Sequence, residues 1–91
     1  AGPLKIEKPQ AYDYINHEIK IAVSNDETKF EINISADTLD DVFGLDGKDT
    51  HSVLGCVTAN WVKIENAIRR RYEGRDIIGN GGSRLLPQDF N

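Results

Sequence analysis

Residues Glu18–Gly44 read EIKIAVSNDETKFEINISADTLDDVFG, and this stretch decides the fold. In EIKIAV, Ile19, Ile21 and Val23 fall on one side and Lys20 on the other. A two-residue period of this kind belongs to a half-buried strand, because successive side chains point to opposite faces. SNDE follows, a cluster of turn formers whose side chains bond their own backbone. TKFEINIS then alternates again, with Phe30, Ile32 and Ile34 inward and Lys29, Glu31 and Asn33 outward. The two runs predict a β-hairpin over about 18–34 with one apolar face. A lone hairpin is barely stable, so that face needs a cover.

The same stretch supplies the first part of the cover. Ser35 is placed to cap a helix over about 36–43, with Asp37 in the first turn where the helix dipole favours an acid. Leu39, Val42 and Phe43 stand at helical spacing and form its apolar stripe. Gly44 supplies a left-handed stop.

Beyond Gly44, GLDGKD reads as a loop, and Asp49 or Thr50 is placed to cap a longer helix over about 50–72. Its apolar residues are Val53, Leu54, Val57, Trp61, Ile64, Ile68 and Tyr72, a seam repeating every three or four residues. Trp61 is the expected centrepiece between this helix and the sheet. Gly55, which costs up to about 1 kcal/mol against alanine inside a helix, is expected to mark a close approach to the sheet. Before the hairpin, the proline-bracketed PLKIEKP offers a short edge strand around Leu4–Glu7. After the long helix, Asn80-Gly81 is a turn dipeptide, and Leu85 and Leu86 can add a short strand that Pro87 ends.

The fold expected is α+β: a small antiparallel sheet, the hairpin plus short edge strands, covered on one face by two helices. The predicted core is Ile19, Ile21, Val23, Phe30, Ile32, Ile34, Leu39, Val42, Phe43, Leu54, Val57, Trp61, Ile64 and Ile68. Ninety-one residues make a single domain over 1–91 with room for one modest core. Loose termini are expected at 1–10 and 87–91. A hydrophobic content of 38% against 29% charged residues fits a globular chain rather than a disordered one.

The residues in this order resemble a known family. YDY is followed by the alternating hairpin, then ISADTLDDVFG, a helix holding VTANWVKIENAIRRRYEGRD, and a terminal RLLPQDF. In sequence they are similar to the domain of unknown function 1488 family of small bacterial proteins, over roughly Ala11 to Phe90. The resemblance implies a compact α+β domain of cytoplasmic bacterial origin and carries over no catalytic residue. At Trp61 the chain departs from the basic residue expected near that position.

Function classes narrow by chemistry. With Cys56 as the one cysteine, an intramolecular disulfide and a cysteine-based zinc site are both excluded. No apolar run approaches the ~20 residues that span a bilayer, and no basic-then-apolar leader opens the chain, so a cytoplasmic location is expected. Residues 1–47 carry four basic and ten acidic side chains, residues 48–91 seven and five. A surplus of two in the second half is a weak positive field for holding phosphates.

That surplus centres on RRRYEGRDIIGNGGSR, Arg69–Arg84. Successive helical residues turn by about 100°, so Arg69, Arg70 and Arg71 fan around the helix instead of forming a stripe. Glu65 precedes Arg69 by four residues, the favourable order for a helical ion pair, and basic residues complement the C-terminal end of a helix dipole. A solvated helix end accounts for the run most simply. Nucleic-acid or anion contact through Arg70, Arg71, Arg75 and Arg84 is the alternative. GNGGS follows a helix and lacks the lysine-serine ending of a phosphate loop, so chain reversal is expected there.

Cys56 sits beside the helical seam as a small hydrophobe, with His51 more than a turn away and His17 between strands, so no nucleophile–base pair is indicated. The acids Asp37, Asp40 and Asp41 lack the order of a calcium loop. No catalysis, no cofactor and no metal are expected. Trp61, Tyr72, Tyr12, Tyr14 and Phe90 are many aromatics for a small chain. If the outer edge of the hairpin or the helix seam is only partly covered, the remainder is expected to be a surface for a protein partner or for self-association as a homodimer.

Overall fold

The computed structural model describes residues 4–25, 29–72 and 83–90. Strand β2 (Glu18–Ser24) and strand β3 (Lys29–Ser35) pair antiparallel along their whole length, from Glu18 opposite Ser35 to Ser24 opposite Lys29. This is the hairpin that the alternation predicts; its turn residues 26–28 lie outside the described residues. A short strand β1 (Lys5–Ile6) pairs antiparallel with the end of β2, within the Leu4–Glu7 stretch.

The fourth strand, β4 (Ser83–Leu85), lies beside β3 and runs parallel to it, with Leu85 opposite Ile34. The sheet is therefore mixed, in the order β1-β2-β3-β4, rather than wholly antiparallel. The reason is the connection. An antiparallel neighbour needs only a tight turn, whereas β4 is reached after all the helices, by a crossover that can deliver it parallel.

Helix α1 (Ala36–Phe43) starts where β3 ends. The Ser35 hydroxyl accepts from the Thr38 N–H at 3.1 Å, and Gly44, at φ 78°, donates its N–H back to the Asp40 carbonyl. Both ends are closed as their residue types require. The predicted long helix is two helices, α2 (Thr50–Ala59) and α3 (Trp61–Tyr72). Asn60 separates them at φ −116° and ψ 20°, and its Nδ2 donates to the Cys56 carbonyl at 2.9 Å. An asparagine side chain that bonds nearby backbone competes with the helical ladder, and here it turns the chain without ending the apolar seam.

The core lies between one sheet face and the helices. Ile19, Ile21, Val23, Ile32, Ile34, Leu39, Val57, Ile64 and Ile68 are all buried, as predicted. Leu4, Tyr12, Ala36, Val53, Ala67 and Leu85 join them. Each fully buried aliphatic side chain contributes about 1.5–3 kcal/mol relative to exposure. Phe30, Phe43, Leu54 and Trp61 are only partly buried against this core, and Val42 is also half-buried. Trp61 is thus not the centrepiece. It opens α3 just after the break, and Ile64, Ala67 and Ile68 face the sheet from the following turns. Gly55 is exposed, and a Cβ added there would meet nothing within 4 Å, so no close approach to the sheet explains it.

Segments expected to be loose make defined contacts where they are described. Leu4 is buried at 5% exposure, and Pro87–Phe90 forms a 3₁₀ turn packed against α1 and α3.

Candidate functional site

The arginine run lies in the last turn of α3, and each guanidinium holds another part of the chain. Arg69 donates to the Leu4 carbonyl at 2.9 Å and pairs with Glu65 at 3.7 Å, the helical pair that the spacing predicts. Arg70 donates to the Asp89 carbonyl at 2.9 Å. Arg71 bonds the Arg84 carbonyl at 2.6 Å and the Asp89 carboxylate at 2.7 Å. That carboxylate also accepts from the Leu86 N–H, so Asp89 ties the 3₁₀ turn both to itself and to the helix. Arg84 points elsewhere and meets the buried carboxylate of Glu18 at 3.5 Å.

The fan of arginines therefore fastens both chain ends around α3. Arg70 and Arg71 converge on Asp89, while Arg84 reaches Glu18 at the start of β2. Arg75, Tyr72's side chain and the glycine-rich stretch through Gly82 lie outside the described residues.

Fastening the 3₁₀ turn leaves an open groove of about 1060 Å³ between α1, α3 and that turn. One side carries hydrogen-bond donors from α3: Lys63, Asn66 and Arg70, spaced three and four residues apart and so on one helix face. The other side carries Val42, Phe43 and Phe90, with the acid Asp41 beside them. The rings of Phe43 and Phe90 meet edge to face with centroids 5.4 Å apart, a favourable aromatic geometry. Only the Lys63–Asn66–Arg70 spacing gives a sequence-level hint of this groove, because its walls come from three distant stretches.

No family model matches this chain, and neither does any curated protein or solved structure. Its function must be read from its own geometry.

A second feature lies at the start of β2, where Asp13 pairs with Glu18. Asp13 Oδ1 accepts from the N–H groups of Ile15 and Asn16, both at 3.1 Å, and its Oδ2 accepts from Asn16 Nδ2 at 2.8 Å. The Asn16 side-chain bond is the main cause holding the Asp13 carboxyl below its ordinary pKa. Asp13 and Glu18 exchange both backbone bonds, and His17 takes φ 56°, uncommon for a non-glycine residue. This doubly closed turn carries Tyr14 and Ile15 outward, 70% and 75% exposed. Beneath it Tyr12 is buried, and burial, then Asp13 and Asp37, push its phenol pKa up.

Cys56 is half-buried, and burial pushes its thiol pKa up although the Asn60 bond opposes this. A thiol held protonated is a poor nucleophile. Among the described residues no group of three or more His, Cys, Asp or Glu side chains could hold a metal ion, and no helix is long and apolar enough to cross a membrane.

Proposed function

We propose that this chain is a small cytoplasmic bacterial protein, akin to the domain of unknown function 1488 family, that acts through protein contacts rather than catalysis. Self-association is included in that reading. The observation that carries it is the exposed pair Tyr14–Ile15, held out on a turn that Asp13 and the Asp13–Glu18 bridge close from both sides. An ordered aromatic-aliphatic pair costs little entropy to bury and supplies contact area, as interface anchors do. The family kinship draws support from the order of hairpin, Ser35-capped helix and amphipathic α3. The absence of catalysis draws support from the raised Cys56 pKa.

The nucleic-acid alternative would need Arg70, Arg71 and Arg84 to give up their bonds to Asp89 and Glu18 in exchange for phosphates. Their present contacts weigh against it.

Sedimentation across a concentration range, and affinity capture from bacterial extract, test the reading with a Tyr14→Ser, Ile15→Ser variant alongside. Association or a specific captured protein is expected with the parent chain and lost in the variant. A parent chain that stays monomeric and captures nothing beyond what the variant captures refutes it.

A further inference from the structure

We infer that the outer edge of β1 pairs antiparallel with β1 of a second copy of this chain, about a two-fold axis at Ile6. Lys5 of each copy then lies opposite Glu7 of the other. This inference rests on the protein-contact reading and names one partner, a second copy, at a surface distinct from the Tyr14–Ile15 turn.

The sheet carries the first part of the argument. Its order is β1-β2-β3-β4, so among the described residues β1 and β4 are its edges. An edge strand presents main-chain groups that another strand can take up. On β4, Arg71 already holds the Arg84 carbonyl, and through Asp89 it also holds the turn that follows. On β1, Arg69 holds the Leu4 carbonyl, at one end of the strand. The Glu7 N–H donates to the Ala22 carbonyl at 3.0 Å, across the β1–β2 ladder. Successive residues of an antiparallel strand bond alternately to one side and the other, so the N–H and C=O of Ile6 are directed away from β2.

Charge carries the second part and fixes the register. Lys5 lies opposite Ser24 and Ile6 opposite Val23, whose side chain is in the core. Lys5 and Glu7 therefore share the outer face of the sheet, and both are exposed. Among the described residues neither has an ion-pair partner. With Ile6 opposite Ile6, the two isoleucines exchange both main-chain bonds and each Lys5 meets a Glu7, twice by symmetry. Opposite charges placed directly across a strand pair stabilise it. Centring the pair on Lys5 or on Glu7 instead sets like charges against each other, which disfavours those registers.

The test is sedimentation equilibrium up to about 1 mM chain, because a contact of this size is weak. The variants are Lys5→Glu, Glu7→Lys and the double exchange Lys5→Glu, Glu7→Lys, all at exposed positions where the fold is retained. The parent chain is expected to dimerise, each single variant to weaken the dimer about tenfold, and the double exchange to restore it. The Ile6 amide is expected to exchange with solvent more slowly as concentration rises. A parent chain that stays monomeric, association indifferent to the single variants, a double exchange that fails to restore it, or an Ile6 amide indifferent to concentration each overturns the proposal. Capture of a foreign protein that depends on Lys5 and Glu7, with the parent chain monomeric, overturns it in favour of a different strand at this edge. Charge-dependent dimerisation that persists in Tyr14→Ser, Ile15→Ser supports it and leaves the exposed turn to a foreign partner. The protein-contact reading fails separately, since a protein captured through Tyr14 and Ile15 can be found whether or not β1 pairs.

Discussion

The hairpin Glu18–Ser35 and the closing segment Ser83–Phe90 belong to one sheet but are held by different forces. In the hairpin, seven residue pairs face each other, and Ile19, Ile21, Val23, Ile32 and Ile34 are each no more than 1% exposed. Apolar burial holds it, and the pattern that creates the burial is local. The closing segment contributes three strand residues and one buried side chain, Leu85. Beyond that strand it is held by Arg70, Arg71 and Asp89, with Phe90 resting on Phe43. Burial sets which residues form the body of the domain. Guanidinium bonds to main-chain oxygens set where its last segment lies.

This contrast can be broken or sharpened by substitution. Ile32→Ala should have the largest effect, about 2–5 kcal/mol of unfolding free energy in denaturant titrations, because it opens a cavity under the sheet centre. A loss below ~1 kcal/mol would mean the hairpin face is not the packed core. Arg71→Ala should cost less, about 1–2 kcal/mol, because the side chain is partly exposed. Its effect should be uneven: the amides of Leu85 and Leu86 should exchange with solvent faster, while those of Ile21 and Ile32 hold. A uniform rise in exchange would erase the distinction between the two regions.

Removing the α2 cap, Asp49→Ala, should destabilise the fold by less than Arg71→Ala does. The Ser52 hydroxyl bond is the main cause holding the Asp49 carboxyl below its ordinary pKa. The folded state therefore binds this proton less readily than the unfolded one. The contribution of Asp49 is present above the ordinary carboxylate pKa, about 3.9, and is lost as pH falls through the lowered folded value. In the Asp49→Ala variant that share of the acid-side loss should disappear; an unchanged difference between the two proteins down to the lowest pH would show that the cap is not formed. Gly55→Ala should have the smallest effect and the opposite sign, a gain of up to about 1 kcal/mol, since the site is open and helical. A loss there would restore the close helix–sheet approach that its glycine first suggests.

What the sequence reveals follows the same division. The hairpin, the Ser35 and Asp49 caps and the Glu65–Arg69 pair obey rules acting over two to four residues, and all are present. The break at Asn60 is hidden because Val57, Trp61 and Ile64 keep helical spacing across it, so periodicity sees one helix where the backbone makes two. Trp61 looks central by size, but its position at the start of α3 leaves it half-covered. The direction of β4 depends on the crossover, not on any residue within it. The partners of the arginines are harder still to foresee. Leu4 is 65 residues from Arg69 and Arg84 is 13 from Arg71, and both accept through main-chain oxygens that carry no residue signature. The groove is likewise assembled from residues 41–43, 63–70 and 87–90, and only its α3 side has a spacing to read.

The central claim is that the arginine run closes the fold. A double-mutant cycle between Arg71→Ala and Asp89→Asn, read in unfolding free energy, tests it most directly. Direct contact predicts a coupling above about 0.5 kcal/mol, with the double variant little less stable than the worse single one. Single effects that add within about 0.3 kcal/mol would contradict it and return Arg71 to the solvent, available for a partner.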